Sequence, residues 1–242
     1  MKRTERHHLK DNELAQFAAD AAGIVQERRG PILAAVVAII VVIAGVGGYF
    51  AWRNRVEARA HTELAAALAV ETARVGPPVA FGSAPAGLSF VSEREKSQAA
   101  LTKFKEVADA YPKNEAGIYA RYREAATYMT LGTPKSAAEA YQRVISDGGN
   151  TIYAQMARLG LAEAQAQSGD YDAAINTFRD LSQRKDGELP VDGVLMRLGR
   201  TQAEAGKPAD AEQTFNKLVA EYPDSSFAAD ARKELDTLKK AS

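Results

Sequence analysis

Side chains able to do covalent or metal chemistry are scarce in this chain. Cysteine is absent, which removes thiolate nucleophiles, disulfides, cysteine metal sites and lipid attachment at cysteine. Three histidines remain, His7, His8 and His61, and His7-His8 reads as a bland pair in a polar tail. Carboxylates are plentiful, but Glu204, Asp210, Glu212 and Glu221 fall where solvated helix faces are expected. No G-x-S-x-G elbow, HExxH pair or calcium loop occurs, and Gly45-Val46-Gly47-Gly48 lies within an apolar run, not ahead of a phosphate-binding helix. The 31 basic residues cancel 31 acidic ones, so no net field draws in nucleic acid, and no cluster of basic residues with interleaved aromatics occurs. The reading is a protein that is not an enzyme, holds no metal or cofactor and acts through its surface.

The elements that would carry such a surface begin with one apolar segment. Residues 31–52, Pro31 to Trp52, contain 22 positions without a charge. As a helix that stretch is about 33 Å long, against a hydrocarbon core of about 30 Å. Arg28 and Arg29 flank one end, Arg53 and Arg55 the other, and Tyr49 and Trp52 lie at interfacial positions. A cleaved signal would have a shorter leader and a small-residue cleavage site, so a retained transmembrane helix is expected. Residues 1–30 form a short flanking side and predict a cytoplasmic tail, with the rest of the chain across the membrane. In that tail Leu14, Phe17, Ala18, Ala21, Ile24 and Val25 recur at helical spacing after Asn12, which predicts a short amphipathic helix. Ala44 and Gly48, like Gly47 and Ala51, form small-xxx-small pairs that would let a partner helix approach; a homo-oligomer is one such assembly.

Beyond the span the chain repeats itself. Gly132, Gly169 and Gly206 are 37 residues apart, and each is followed at fixed distances by Ala137, Ala174 and Ala211, by Tyr141, Phe178 and Phe215, and by Val144, Leu181 and Leu218. One period earlier Ala100, Phe104 and Val107 keep the register, without the glycine. Alanine, aromatic and aliphatic residues spaced by four and three share one helical face. The glycine sits where a preceding helix must end and the chain reverse. That preceding helix carries Ala120, Ala125 and Tyr128, then Ala157, Leu161 and Ala162, then Val194, Leu198 and Gly199. Its small residues Ala125, Ala162 and Gly199 should let it approach the alanine of the second helix. A single hairpin cannot bury both faces, so the units must stack into an all-α solenoid. Residues 53–242 would form this domain, its first unit split by a Gly/Pro/Ser-rich loop at 76–92. The helix leaving the membrane is expected to reach Val75, the second half of that unit to span Glu93 to Ala110, and a capping helix to span Ser226 to Lys239.

Leu161-Ala162…Gly169-Asp170-Tyr171…Ala174…Phe178 and Leu198-Gly199…Gly206…Ala211…Phe215 resemble the tetratricopeptide pattern, with a period three longer than its usual ~34 residues. The resemblance implies that the first helices of successive units line a groove for other proteins. By register, the groove positions are Tyr119, Tyr122 and Met129, then Met156, Leu159 and Glu163, then Met196 and Arg200. The three methionines of that stripe are the only ones besides Met1, and they suit varied apolar partners. Packing between neighbouring first helices is the alternative role, above all for Leu159 and Tyr122.

One span, a short tail and this repeat domain together resemble the YfgM-like family of ancillary SecYEG translocon subunits. That resemblance implies a single-pass protein of the bacterial inner (plasma) membrane whose periplasmic domain contacts translocon components, periplasmic chaperones or unfolded secretory proteins. The layout is also similar to that of scaffold proteins coordinating envelope assembly or cell division. A small-molecule sensor or enzyme would need polar groups converging in the groove, where mainly Glu163 and Arg200 are available.

Overall fold

The computed structural model describes residues 29–76, 87–183 and 189–241. The amphipathic helix expected before residue 29 lies outside the described residues, as do loop positions 77–86 and the connection at 184–188. Helix α1 runs Arg29–Glu71, and the chain divides into two compact units at Val56 and Glu57.

In the first unit, α1 presents its apolar side chains outward. From Leu33 to Trp52 every large hydrophobic residue described is about half exposed or more. The most apolar window of this helix has a mean hydropathy of 2.5 and none of it is buried. The helix is long and apolar enough to cross a membrane.

The second unit is built of stacked helices. After the end of α1 come two-residue strands β1 (Arg74–Val75) and β2 (Ser89–Phe90), then α2 (Glu93–Ala110), α3 (Glu115–Thr130), α4 (Pro134–Gly148), α5 (Ile152–Gln167), α6 (Tyr171–Gln183), α7 (Val191–Glu204), α8 (Pro208–Glu221) and α9 (Ala228–Ala241). Helix α1 thus stops short of the expected Val75. The residues before Gly76 instead pair in parallel with β2, Arg74 opposite Ser89 and Val75 opposite Phe90, and the Gly76 N–H donates to the Phe90 carbonyl at 3.0 Å. This clasp closes the inserted loop where Pro77-Pro78 deny the chain two further N–H donors.

The helix ends follow local chemistry. The Ser92 hydroxyl accepts from the Glu95 N–H to start α2, and Thr151 does the same for Ala154 at α5. Pro134 and Pro208 open α4 and α8, where a missing N–H costs nothing. Between α5 and α6, Gly169 has φ +83°, and the Asp170 N–H reaches back to the Gln165 carbonyl at 2.9 Å. A β-carbon at that φ would cost about 1–2 kcal/mol, which is why glycine recurs there; Gly132 and Gly206 make the same turn.

The repeated second-helix residues form the core. Phe104, Phe178 and Phe215 are essentially fully buried, and Tyr141 nearly so. The end of α1 supplies Ala60, Leu64, Ala67 and Val70 to the cluster around Phe104, completing the first hairpin with α2. The small residues of the first helices lie against the second helices. Ala125 shares a cluster with Ala137 and Ala162 with Ala174, and Gly199 lies against the Phe215 ring, where a β-carbon would sit 2.5 Å from the nearest ring carbon. Gly160, not singled out by the repeat, does the same for the Tyr141 ring.

Candidate functional site

The first helices, the end of α1 with α3, α5, α7 and α9, share one face, and its chemistry is set by contacts between successive units. Between α3 and α5 four tyrosines meet. Tyr119 and Tyr153 have ring centroids 5.0 Å apart, Tyr122 and Tyr153 6.5 Å, and Tyr122 and Tyr141 5.8 Å. Tyr141 comes from α4, a second helix; its ring passes over Gly160 because no side chain stands there. Burial pushes the phenols of Tyr122, Tyr141 and Tyr153 above their ordinary pKa, so all are neutral donors at physiological pH. Beside them Ile152 and Met156 are 42% and 36% exposed. Among the described residues of the second unit, the other large hydrophobic side chains so exposed are Leu88 and Val91, at β2.

Charged pairs bind the remaining first-helix interfaces. Arg123 of α3 donates to Glu71 of α1, and its guanidinium lies 5.9 Å from the Phe104 ring centroid. Arg197 donates to Glu163 across α7 and α5 at 2.5 Å, and Arg200 to Glu234 across α7 and α9 at 2.9 Å.

The positions read from the sequence therefore divide. Tyr119 and Tyr122 come together around Tyr153, and Met156 follows Tyr153 by one turn along α5. Met129 and Leu159 are half-buried and pack against the cores of the second and third hairpins, respectively. Glu163 and Arg200 lie on the face but do not converge, since each is engaged by a different partner. Met196 must be corrected: it is 2% exposed, packed in one cluster with Ala228, Ala231 and Leu235. The alanines of α9 let that helix cover it, so the methionine stripe does not continue as an open surface.

Sequence reading missed Tyr153, Ile152, Arg197 and Glu234. A signal existed. Tyr119 and Tyr153, Glu163 and Arg197, and Arg200 and Glu234 are each 34 residues apart, one helical turn less than the 37-residue period. Neighbouring first helices thus meet one turn out of register, and pairs at that offset mark the shared face.

A buried polar group lies elsewhere. Arg121, 7% exposed, donates to the buried Glu124 at 2.7 Å and to Asp109 at 2.5 Å. The Arg121 bond holds the Asp109 carboxyl below its usual range. Glu124 occupies the register position of Leu161 and Leu198, so this is a core substitution with its counter-charge supplied.

Known proteins bear on this arrangement. Residues 29–189 match the sequence profile of the tetratricopeptide repeat-like domain, and residues 194–225 match that of a tetratricopeptide repeat. No curated protein matches. Two crystal structures of a Podosopora anserina protein with nearly identical TPR-like repeats, one of them a substituted form, share 14% and 13% identity with this chain. Each alignment covers 76% of this chain and 87% of the other, with a TM-score of 0.55. YrrB, a TPR protein with an unusual peptide-binding site, is 22% identical over 58% of this chain and 68% of its own, with a TM-score of 0.47. No enzyme family is indicated by either profile, and the tetratricopeptide repeats that they describe are a scaffold for contacts between proteins. With one profile spanning most of its length and the paired helices nesting through the repeated alanines and aromatics, the chain belongs to the tetratricopeptide repeat-like domain family.

Proposed function

We propose that this chain is a membrane-anchored scaffold, held by α1 in the bacterial inner membrane with its repeat domain in the periplasm, where the first-helix face takes extended polypeptide as an ancillary part of the SecYEG translocon. The partners would be translocon components, periplasmic chaperones or emerging secretory proteins. One observation carries the binding role: Ile152 and Met156 stand exposed beside a tyrosine cluster, on the face that the family uses for other proteins. The anchoring role draws on the uncovered apolar surface of α1.

Photo-crosslinking from position 156 in intact cells tests the reading. Adducts with translocon subunits, chaperones or secretory precursors are expected. Adducts confined to the cell-wall or division machinery would replace it with the envelope-coordinator reading. Digestion of the repeat domain by protease added to spheroplasts checks the orientation; protection there, with cleavage in inverted vesicles, would overturn it.

A further inference from the structure

Resting on the reading of the first-helix face as a polypeptide groove, we infer that the tyrosine cluster between α3 and α5 is a subsite for an uncharged, proline-rich segment in the polyproline II conformation. Three features of the patch select that ligand.

The centre of the patch carries no free charge. Arg123 is engaged by Glu71 and Glu163 by Arg197, while Glu115, within electrostatic reach of Tyr153, stands exposed at its edge. An acidic ligand would have to break one of those pairs or be desolvated beside Glu115 without a partner. The patch also offers donors. The hydroxyls of Tyr122, Tyr141 and Tyr153 make no hydrogen bond to another protein group among the described residues. The buried side-chain polar atom left without a partner there is Arg123 Nε, so these three hydroxyls, that of the 5% exposed Tyr141 included, keep at least a narrow contact with solvent. Finally, its rings are spaced 5.0–6.5 Å apart and tilted, a ribbed aromatic surface.

A helical ligand satisfies its own carbonyls and would cover the phenols without giving them acceptors, which penalises binding. A strand seeks the free edge of a sheet, and first helices have none. A polyproline II segment has no internal hydrogen bonds, shows its carbonyls outward and lays flat pyrrolidine rings on aromatic side chains. Tyr141 makes the subsite specific to this unit. The register positions in the other units are Phe104, Phe178 and Phe215, which can fill the core but donate nothing.

The test uses the full chain in detergent micelles and fluorescent peptides of equal length. One is neutral and proline-rich, one is neutral with each proline replaced by alanine or serine, and one is acidic. The proline-rich peptide should bind best, with affinity changing less than about twofold between ~0.05 and ~0.5 M salt. Tyr153→Ala should weaken it at least about tenfold, and Tyr141→Phe by roughly two- to tenfold with thermal unfolding unchanged. If the proline-free or acidic peptide binds as well as the proline-rich one, the inference is overturned. It is also overturned if neither tyrosine change affects binding. Should no peptide bind while position 156 still crosslinks to proteins in cells, the inference falls and the groove stands. If crosslinking fails too, both fall.

Discussion

At the scale of single residues, two departures from the repeat consensus carry distinct consequences. Glu124 replaces a core leucine and is held by Arg121. Removing one partner from such a pair strands a buried charge, whereas removing both restores an apolar core. Arg121→Met should therefore lower unfolding stability by about 3 kcal/mol or more, while Arg121→Met combined with Glu124→Leu should return to within about 1–2 kcal/mol of the parent. Urea titration of the three proteins measures this directly. Tyr141, with Tyr122, is the other departure. Their folded-state pKa values are raised by burial, so the stability that they contribute is present below the unfolded phenol pKa near ~10. It is lost as pH rises from there through the higher folded values. Melting temperature should fall on alkaline titration above about pH 10, and less steeply in Tyr141→Phe. The core role of both positions was legible from the 37-residue register. Their polar chemistry was not, because a repeat announces what its units share and hides what one unit does alone.

At the scale of elements, the register also explains an open depression of about 500 Å³ on the outer face of α4, lined by Ala138, Gln142, Ser146 and Leu161 among others. Ala138 stands where α2 has Leu101, α6 has Ile175 (3% exposed) and α8 has Glu212. Relative to α2 and α6, the depression has the place of a missing aliphatic side chain. Ala138→Ile should cover part of its floor and raise stability by about 0.5–1 kcal/mol, read as a higher urea midpoint at unchanged slope. Helix boundaries were largely readable because glycine turns and proline starts are local signals. The face of the solenoid was harder to read, since its pairs join side chains 34 residues apart and differ in type: tyrosine with tyrosine, glutamate with arginine, then arginine with glutamate. Met196 was misplaced for a related reason. A capping helix obeys the repeat's packing rules yet ends the array, and it closes fully over a position whose counterparts in inner units, Tyr122 and Leu159, are half-buried.

For the whole molecule, the division at Val56 and Glu57 gives a clear expectation. A chain beginning at Glu57 should be soluble without detergent and keep the cooperative unfolding of the repeat domain, because the α1 residues that enter a core start at Ala60. A chain beginning at Ala73 should lose several kcal/mol, since Phe104 and Val107 would surrender the cover of Leu64, Ala67 and Val70, each aliphatic side chain being worth about 1.5–3 kcal/mol when buried. Circular dichroism melts of the two truncations decide the point. The strand pair β1–β2 has a further bearing. By fastening Val75 to Phe90 it holds the entry and exit of the inserted segment side by side, and closing a longer segment costs entropy only logarithmically in its length. Material can thus accumulate between those two anchors through evolution, or be grafted there as an epitope or fluorophore, while the helical stack on either side keeps its alignment.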